Sequence, residues 1–552
     1  MLPAGILQLR LPDFGRALQR RKLCYLGAMI AIFVKAAVRV LWVSILTIPA
    51  LVLAVDSEDV RRQIEILGVP GTVSNIHGVR NVPALVDLYS ERQYRPLWFA
   101  NGPLTLMRAA LIAEVEASAG HGFGSRRYHL KALTGQDLPA AQLEVLYTDA
   151  LLSQAHDRYT GVLDSTDDDW FIQREPLDTI AFLRSLVDQR SDIRPALHAL
   201  WPRHQEYWAL VEKRAALAAQ EEVYAEAVPA GSLLRPGDSG PRVQLLQQRL
   251  LGPGEYSGVF DSSLKDAVTG FQRSAGLEAD NIVGEATLEV LNANRFSWID
   301  RLDANLERWR WLPRQIPSTY ISVNIAAFRL RVIEDGEPEL GMDVIVGRPY
   351  RQTPIFTETL KYLVFFPYWN VPYSIATKDK LPLLRTDAES LAQAGYEVQL
   401  RGDTAFQAVN QVEWSTIKPG EFTLRQRPGQ KNALGTVKFM LPNPHSVYLH
   451  DTPDKALFSK TERIFSSGCI RLAEAQKLAD WVLNYDHNKY LADLDRLLAS
   501  GPSTTAYLAR PIPVYLVYFT AFREGDAVVF RRDVYERDER IVRALRSAGD
   551  PV

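Results

Sequence analysis

Cysteine is nearly absent from this 552-residue chain, which holds only Cys24 and Cys469. With no C-x-x-C pair, a lone cysteine makes a weak zinc site. There is no P-loop to cradle phosphates and no G-x-S-x-G elbow to present a serine nucleophile. Charge of one sign is also lacking. The 63 basic and 65 acidic residues leave a net charge of −2, with no long like-charge tail. That balance gives no electrostatic reason to expect nucleic acid as partner. Histidine is sparse, and His121, His129, His156, His198 and His204 fall in no H-E-x-x-H pattern. They read as packed or surface side chains. No metal and no cofactor is expected.

What is present begins with an unusual first 55 residues. Arg10, Arg16, Arg20, Arg21 and Lys22 precede the apolar run Leu23–Val34, and Lys35 and Arg39 precede a second run, Val40–Val55. Basic residues before an apolar stretch mark an export signal or a membrane anchor. Val52 and Ala54 have the small-residue spacing of a cleavage site, and a start at Met29 would leave a well-formed signal peptide. Both readings send the residues after about Asp56 across a membrane. Cys24 then stays in the export segment. Cys469 is left unpaired in an oxidising compartment, where a lone thiol is an intermolecular bridge former or a reactive group.

The length implies three or four domains of a multidomain α+β chain. From 56 to 230 the spacing of Leu and Ala, as in Leu104–Ala117 and Ala140–Leu152, predicts a helical scaffold. Residues 231–298 read as a three-helix unit. Asp238 or Ser239 is placed to cap a helix at Pro241–Leu251, and Leu264, Val268, Leu288 and Leu291 are core positions of the next two. From 299 to 500 the period changes to short strands at Thr319–Asn324, Ala327–Val332, Met342–Val346, Leu360–Phe365 and Ser446–His450. The long charged insertion at about 373–444 has the character of a lid. A helix is expected from about Leu472 to Asn484. The 501–552 tail reads as a closing hairpin of Val514–Thr520 and Ala527–Arg531 turning at Gly525-Asp526.

The chemistry concentrates near the end of the β region. Cys469 lies in Ser466-Ser467-Gly468-Cys469-Ile470-Arg471-Leu472, nineteen positions after His450. A thiol on a glycine turn and an imidazole ending a strand are the parts of a cysteine nucleophile and its base. Period two puts Tyr448 and His450 on one strand face, and His445, five positions from His450, would face away. An adjacent imidazole can hold a thiolate as an ion pair, and a helix starting after Cys469 would add its dipole. Gly468 can turn tightly and offer an amide to an oxyanion. Spacing alone leaves a nucleophile and an inert buried thiol about equally supported.

Longer motifs separate the two. His450-Asp451-Thr452-Pro453 and the Ser466–Leu472 segment, with Trp369-Asn370-Val371-Pro372-Tyr373-Ser374-Ile375-Ala376 and the run from Pro428 to Phe439, resemble the L,D-transpeptidase catalytic domain of YkuD type. The likeness is to the larger periplasmic branch, which carries a scaffold domain and an inserted lid. Leu233–Asp238, Gly258-Val259-Phe260-Asp261, Phe271-Gln272 and Ile282-Val283-Gly284 resemble the peptidoglycan-binding-like domain of cell-wall enzymes. Ser467 stands where many members have a second histidine, and the larger branch commonly has serine there.

The resemblance implies acyl transfer in bacterial peptidoglycan. Cys469 would attack a donor stem peptide at the L-centre of meso-diaminopimelate and expel D-alanine. The thioester would pass to a diaminopimelate amine on an acceptor stem, making a 3→3 cross-link. His450 would be the base, oriented by Asp451 or a backbone carbonyl. Gly468 and Cys469 amides would receive the oxyanion. Arg471, Tyr448, Ser467, Tyr373, Arg427 and Asn432 are candidate substrate contacts, and Trp414 a lid contact. Expected partners are the stem peptides, other cell-wall synthesis proteins, and the inner membrane if the N-terminal segment is uncleaved. The implied location is the periplasm of a Gram-negative-type bacterium. Alternatives are an L,D-carboxypeptidase or amidase, attachment of an envelope protein to the wall, and a non-catalytic wall-binding scaffold.

Overall fold

The computed structural model describes residues 55–549 apart from 69–75, 77, 100, 164–168, 190–191, 220–225, 253, 293–294 and 500. The export-type segment, Cys24 and Met29 lie outside the described residues. No described helix is long and apolar enough to cross a membrane.

The N-terminal region is helical. Its longer helices are α1 (Ser57–Gly68), α2 (Val82–Glu91), α3 (Arg108–Ser118), α4 (Ala140–Thr160), α5 (Thr179–Asp188) and α6 (Gln205–Ala219). Helix α4 is buried along almost its whole length, polar residues included. Each buried charge has partners, as burial requires. The Glu144 carboxylate accepts the amides of Leu97, Trp98 and Phe99 and the Tyr89 hydroxyl. Of the scattered histidines, His198 is exposed and the others are half-buried. His121 stacks on Trp201 at 3.8 Å, and His129 Nε2 meets Asp149 at 2.7 Å.

The three-helix unit follows as α7 (Pro241–Leu251), α8 (Ser262–Ser274) and α9 (Glu285–Asn292). Val243, Leu246, Leu264, Val268, Leu288 and Leu291 form its core. Asn281 takes a left-handed φ of 63°. The expected cap of α7 is absent. Gly240 holds the cap position, and the Asp238 carboxylate accepts the Arg235 amide instead.

Helix α10 (Arg295–Arg310) leads into the β region. There β1 (Tyr320–Asn324), β2 (Arg329–Glu334), β3 (Glu337–Ile345), β4 (Phe356–Phe365), β9 (Val437–Met440), β10 (Leu449–His450), β11 (Ile470–Leu472) and β12 (Thr504–Val517) close a barrel in the order β1-β12-β4-β9-β10-β11-β3-β2. Alternate residues point inward, so Ile321, Val323, Leu330, Val332, Leu360, Phe439, Leu449 and Val514 fill the core. Between β4 and β9 the chain leaves the barrel. It forms β5 (Trp369–Asn370), α11 (Leu381–Gln393), β6 (Tyr396–Leu400), β7 (Gln407–Ala408) and β8 (Phe422–Gln426), a small sheet with its own core.

Four expectations change. The insertion ends before β9, because Val437–Met440 is a barrel strand paired with β4 and β10. The tail is no mere closing hairpin. Residues 504–517 are the central strand β12, parallel to β1 and antiparallel to β4, and the hairpin is β13 (Ala521–Glu524) with β14 (Ala527–Phe530). The strand expected at Ser446–His450 keeps only its last two residues. Ser446 has φ +56°, and the Asn443 side chain accepts the amides of His445 and Val447, which bends the chain. Finally, no helix starts behind Cys469. β11 intervenes, and α12 (Ala475–Tyr485) begins later, so a helix dipole does not act on the thiol.

Candidate active site

Strands β10 and β11 run parallel, with Leu449 opposite Ile470 and His450 opposite Arg471. The Ile470 amide donates to the Tyr448 carbonyl at 3.1 Å. This register sets Cys469 beside Tyr448. Period two then turns Tyr448, His450, Cys469 and Arg471 to one face, with Leu449 and Ile470 in the core. All four line one cleft of about 830 Å³ under the inserted subdomain. His450 lies diagonal to Cys469, since its direct partner on β11 is Arg471, two residues further on.

The turn before Cys469 is tightly bonded. Gly468 takes φ +113°, a region L side chains avoid. Its carbonyl accepts the Thr353 hydroxyl at 2.9 Å, and its amide donates to Ser466 Oγ at 3.1 Å. That corrects the expected oxyanion role of Gly468, whose N–H is spent inside the turn. The Cys469 amide is left as the backbone candidate. Cys469 Sγ lies 3.8 Å from the Ser446 carbonyl oxygen.

His450 is buried, and its Nδ1 lies 2.5 Å from the backbone carbonyl of Asp451. A carbonyl only accepts, so Nδ1 carries the proton and Nε2 keeps its lone pair. The Asp451 carboxylate is engaged elsewhere, accepting the Thr436 amide at 2.9 Å and Lys455 Nζ at 2.7 Å. The orienting group is therefore a carbonyl and not a carboxylate. Gly435 makes room for that carboxylate, since a Cβ there would approach it to 2.3 Å.

Burial and nearby cations set the charges. Burial, then Arg471, lowers the His450 pKa to about 3. Burial raises that of Cys469, against hydrogen bonds from Tyr448 and the charges of Lys438 and Arg471. Both shifts favour a neutral thiol beside a neutral imidazole, not the ion pair expected from the sequence. Lys438 escaped the sequence reading. It lies opposite His450 across the β9–β10 ladder, with its ammonium 3.8 Å from the centre of the Tyr448 ring. Its one signal was a charge alternating with the apolar Val437 and Phe439.

The other expected contacts divide. Arg471 lines the cleft and pairs with Asp454 at 3.2 Å. Ser467 lines it too, its hydroxyl accepting from Arg351 at 3.0 Å. Tyr373 is exposed, and its neighbours Pro372 and Ser374 line the cleft instead. Arg427 lies outside, paired with Glu397 at 3.5 Å. Asn432 is buried and structural. Its amide donates to the carbonyls of Pro367 and Arg427 and accepts from Leu434, closing the neck of the insertion. Trp414 is likewise core, donating to the Val409 carbonyl. His445, expected to face away, lines the cleft because the strand is broken at Ser446, and it packs on Phe171 of the helical region at 4.3 Å. Five cationic side chains, Arg348, Arg351, Lys378, Lys380 and Arg471, ring the cleft against the carboxylate of Asp379.

A closed barrel presenting a histidine on β10 and a cysteine on the turn that enters the parallel strand β11 is accompanied by three domain matches. The L,D-transpeptidase catalytic domain family, YkuD, matches residues 318–525. A family described as "Scaffold domain" matches 83–213, and one described as "Putative peptidoglycan binding domain" matches 239–291. The chain thus carries an L,D-transpeptidase catalytic domain of the YkuD family with a scaffold domain and a peptidoglycan-binding domain.

A Haemophilus influenzae protein named "Putative L,D-transpeptidase" is 32% identical over 243 residues, 44% of this chain and 48% of that protein. The chain thus spans about half the length of this curated relative. Among solved structures, an L,D-transpeptidase from Xylanimonas cellulosilytica is 15% identical, covering 52% of this chain and 98% of that one, with a TM-score of 0.15. One from Mycobacterium smegmatis is 16% identical, covering 36% and 58%, with a TM-score of 0.17.

Proposed function

We propose that the protein is an exported peptidoglycan L,D-transpeptidase that forms 3→3 cross-links through a thioester on Cys469. The observation that carries this reading is the shared face of Tyr448, His450, Cys469 and Arg471 in one cleft. His450 Nε2, held as the free nitrogen by the Asp451 carbonyl, takes the thiol proton as sulfur attacks the donor carbonyl. The Cys469 amide receives the oxyanion. D-Alanine leaves with a proton from His450. The diaminopimelate amine of an acceptor stem then attacks the thioester, breaking C–S and returning the proton to sulfur. Because both resting groups are neutral, proton transfer accompanies attack and does not precede it.

The cationic ring fits a substrate class rich in carboxylates, which stem peptides are. The insertion, set over the cleft, supports transfer over hydrolysis by limiting water at the thioester. We assign 56–230 to the scaffold, 231–298 to wall binding, and the barrel with its insertion to catalysis. The basic and apolar N-terminal segment supports export to the periplasm, as a cleaved signal or an inner-membrane anchor. Purified sacculi incubated with the protein provide the test. New 3→3 dimers that vanish in Cys469→Ala are expected. Shortened stems without dimers would replace this reading with a carboxypeptidase, and an unchanged muropeptide profile would leave a wall-binding scaffold.

A further inference from the structure

The loop between β3 and β4 is bonded to the cysteine turn at several points. The Ser466 amide donates to the Val346 carbonyl, the Arg348 amide to the Ser466 carbonyl, and the Thr353 hydroxyl to the Gly468 carbonyl. Loop and turn are therefore tied together by three hydrogen bonds. From that loop Arg351 reaches in two directions. One way, Nη1 and Nη2 meet Asp379 Oδ2 and Oδ1 at 2.6 and 3.1 Å, a bidentate pair. The other way, Nη1 donates to Ser467 Oγ at 3.0 Å.

Asp379 belongs to the insertion. It lies in a π-helical turn, Ala376–Lys380, leading into α11. Such turns gather at functional positions. The pair is partly open to solvent, with side-chain exposures of 19% for Arg351 and 39% for Asp379. It can therefore open without exposing a buried charge. The insertion is also held by its covalent neck and the buried Asn432.

On the transpeptidase reading above, we propose that Arg351 is a positioning residue that ties the seated lid to the turn carrying Cys469 and so sets the fate of the acyl-enzyme. With the pair closed, the lid covers the thioester, and an acceptor amine attacks its carbonyl, breaking C–S and giving an amide. With the pair open, water attacks the same carbon and releases the free tripeptide acid. In both routes the proton lost by the nucleophile passes through His450 to the Cys469 sulfur. Ser467 is the anchor of this guanidinium on the turn.

The test compares the wild type, Asp379→Asn and the reversed pair Arg351→Asp with Asp379→Arg. Each protein is supplied with disaccharide-tetrapeptide as both donor and acceptor. Two readouts are taken: the ratio of hydrolysed tripeptide to cross-linked dimer, and amide hydrogen exchange across residues 376–393. Asp379→Asn is expected to raise the product ratio by about threefold, the scale a partly exposed ion pair controls. It should also speed exchange in that segment, and the reversed pair should bring both readouts back toward wild type. A ratio unchanged in Asp379→Asn, or exchange unchanged, overturns the proposal. If the wild type forms neither product, the transpeptidase reading fails, and the exchange readout still decides whether the pair holds the lid.

Discussion

At His450 a single hydrogen bond selects the chemistry. The Asp451 carbonyl fixes the tautomer, and burial with Arg471 nearby keeps the ring unprotonated down to about pH 3. A base whose pKa is lowered stays competent at every pH above that value. Cys469, shifted the other way, stays a thiol through neutrality. The kcat/KM for a donor tetrapeptide is therefore expected to show no inflection between pH 5 and 8, and to rise only in alkali as thiolate forms. Because kcat/KM reports the free enzyme, an acid limb with a midpoint of about 6–7 would show instead that the imidazole titrates as an ordinary histidine. Tyr448 and His450 on one face were legible from period two alone. Lys438 and Arg351 were not, because their partners lie on other strands and in the insertion, and no local pattern encodes a cross-strand neighbour.

Among the elements, the insertion shows how far local pattern reaches. Its length and charge marked it as a lid. Its end did not show, because Val437–Met440 reads as any short apolar run and is a barrel strand only by pairing with β4 and β10. The neck rests on Asn432, whose removal would leave buried backbone groups without partners, at about 1–3 kcal/mol. Asn432→Ala is expected to speed amide exchange across 366–434 while β1, β4 and β12 keep their protection. Equal loss in the barrel would show that the insertion and barrel unfold together. Helix α12 fell three residues later than its apolar pattern suggested, since Ile470–Leu472 was captured by β3 and β10.

Across the whole molecule, α10 and the C-terminal helix α13 (Asp538–Gly549) join the scaffold to the barrel through buried charges. Arg308 Nη1 meets Asp538 Oδ1 at 2.5 Å, and the other carboxylate oxygen accepts the Thr520 hydroxyl at 2.7 Å. Asp538→Ala would strand the Arg308 charge where its side chain is fully buried. A loss of about 3–5 kcal/mol is expected in urea unfolding. A change below about 1 kcal/mol would show that water or another carboxylate replaces the partner. The scaffold also reaches the cleft, since the Phe171 amide donates to the Ile355 carbonyl and its ring packs on His445. Such contacts join residues hundreds of positions apart and leave no periodic trace.

The sequence by itself determined the candidate nucleophile and base, the strand alternation that faces Tyr448 and His450 together, and the order of helical, three-helix and β regions. These depend on side-chain chemistry and short-range periodicity, both written in neighbouring residues. Only the tertiary structure decided the neutral charge state of the pair, the carbonyl that orients His450 and the loss of the Gly468 amide to Ser466. It also decided the place of β12 in the barrel and the span of Arg351 between lid and turn. Each of these depends on burial or on groups brought together by the barrel's closure, which no stretch of chain contains alone.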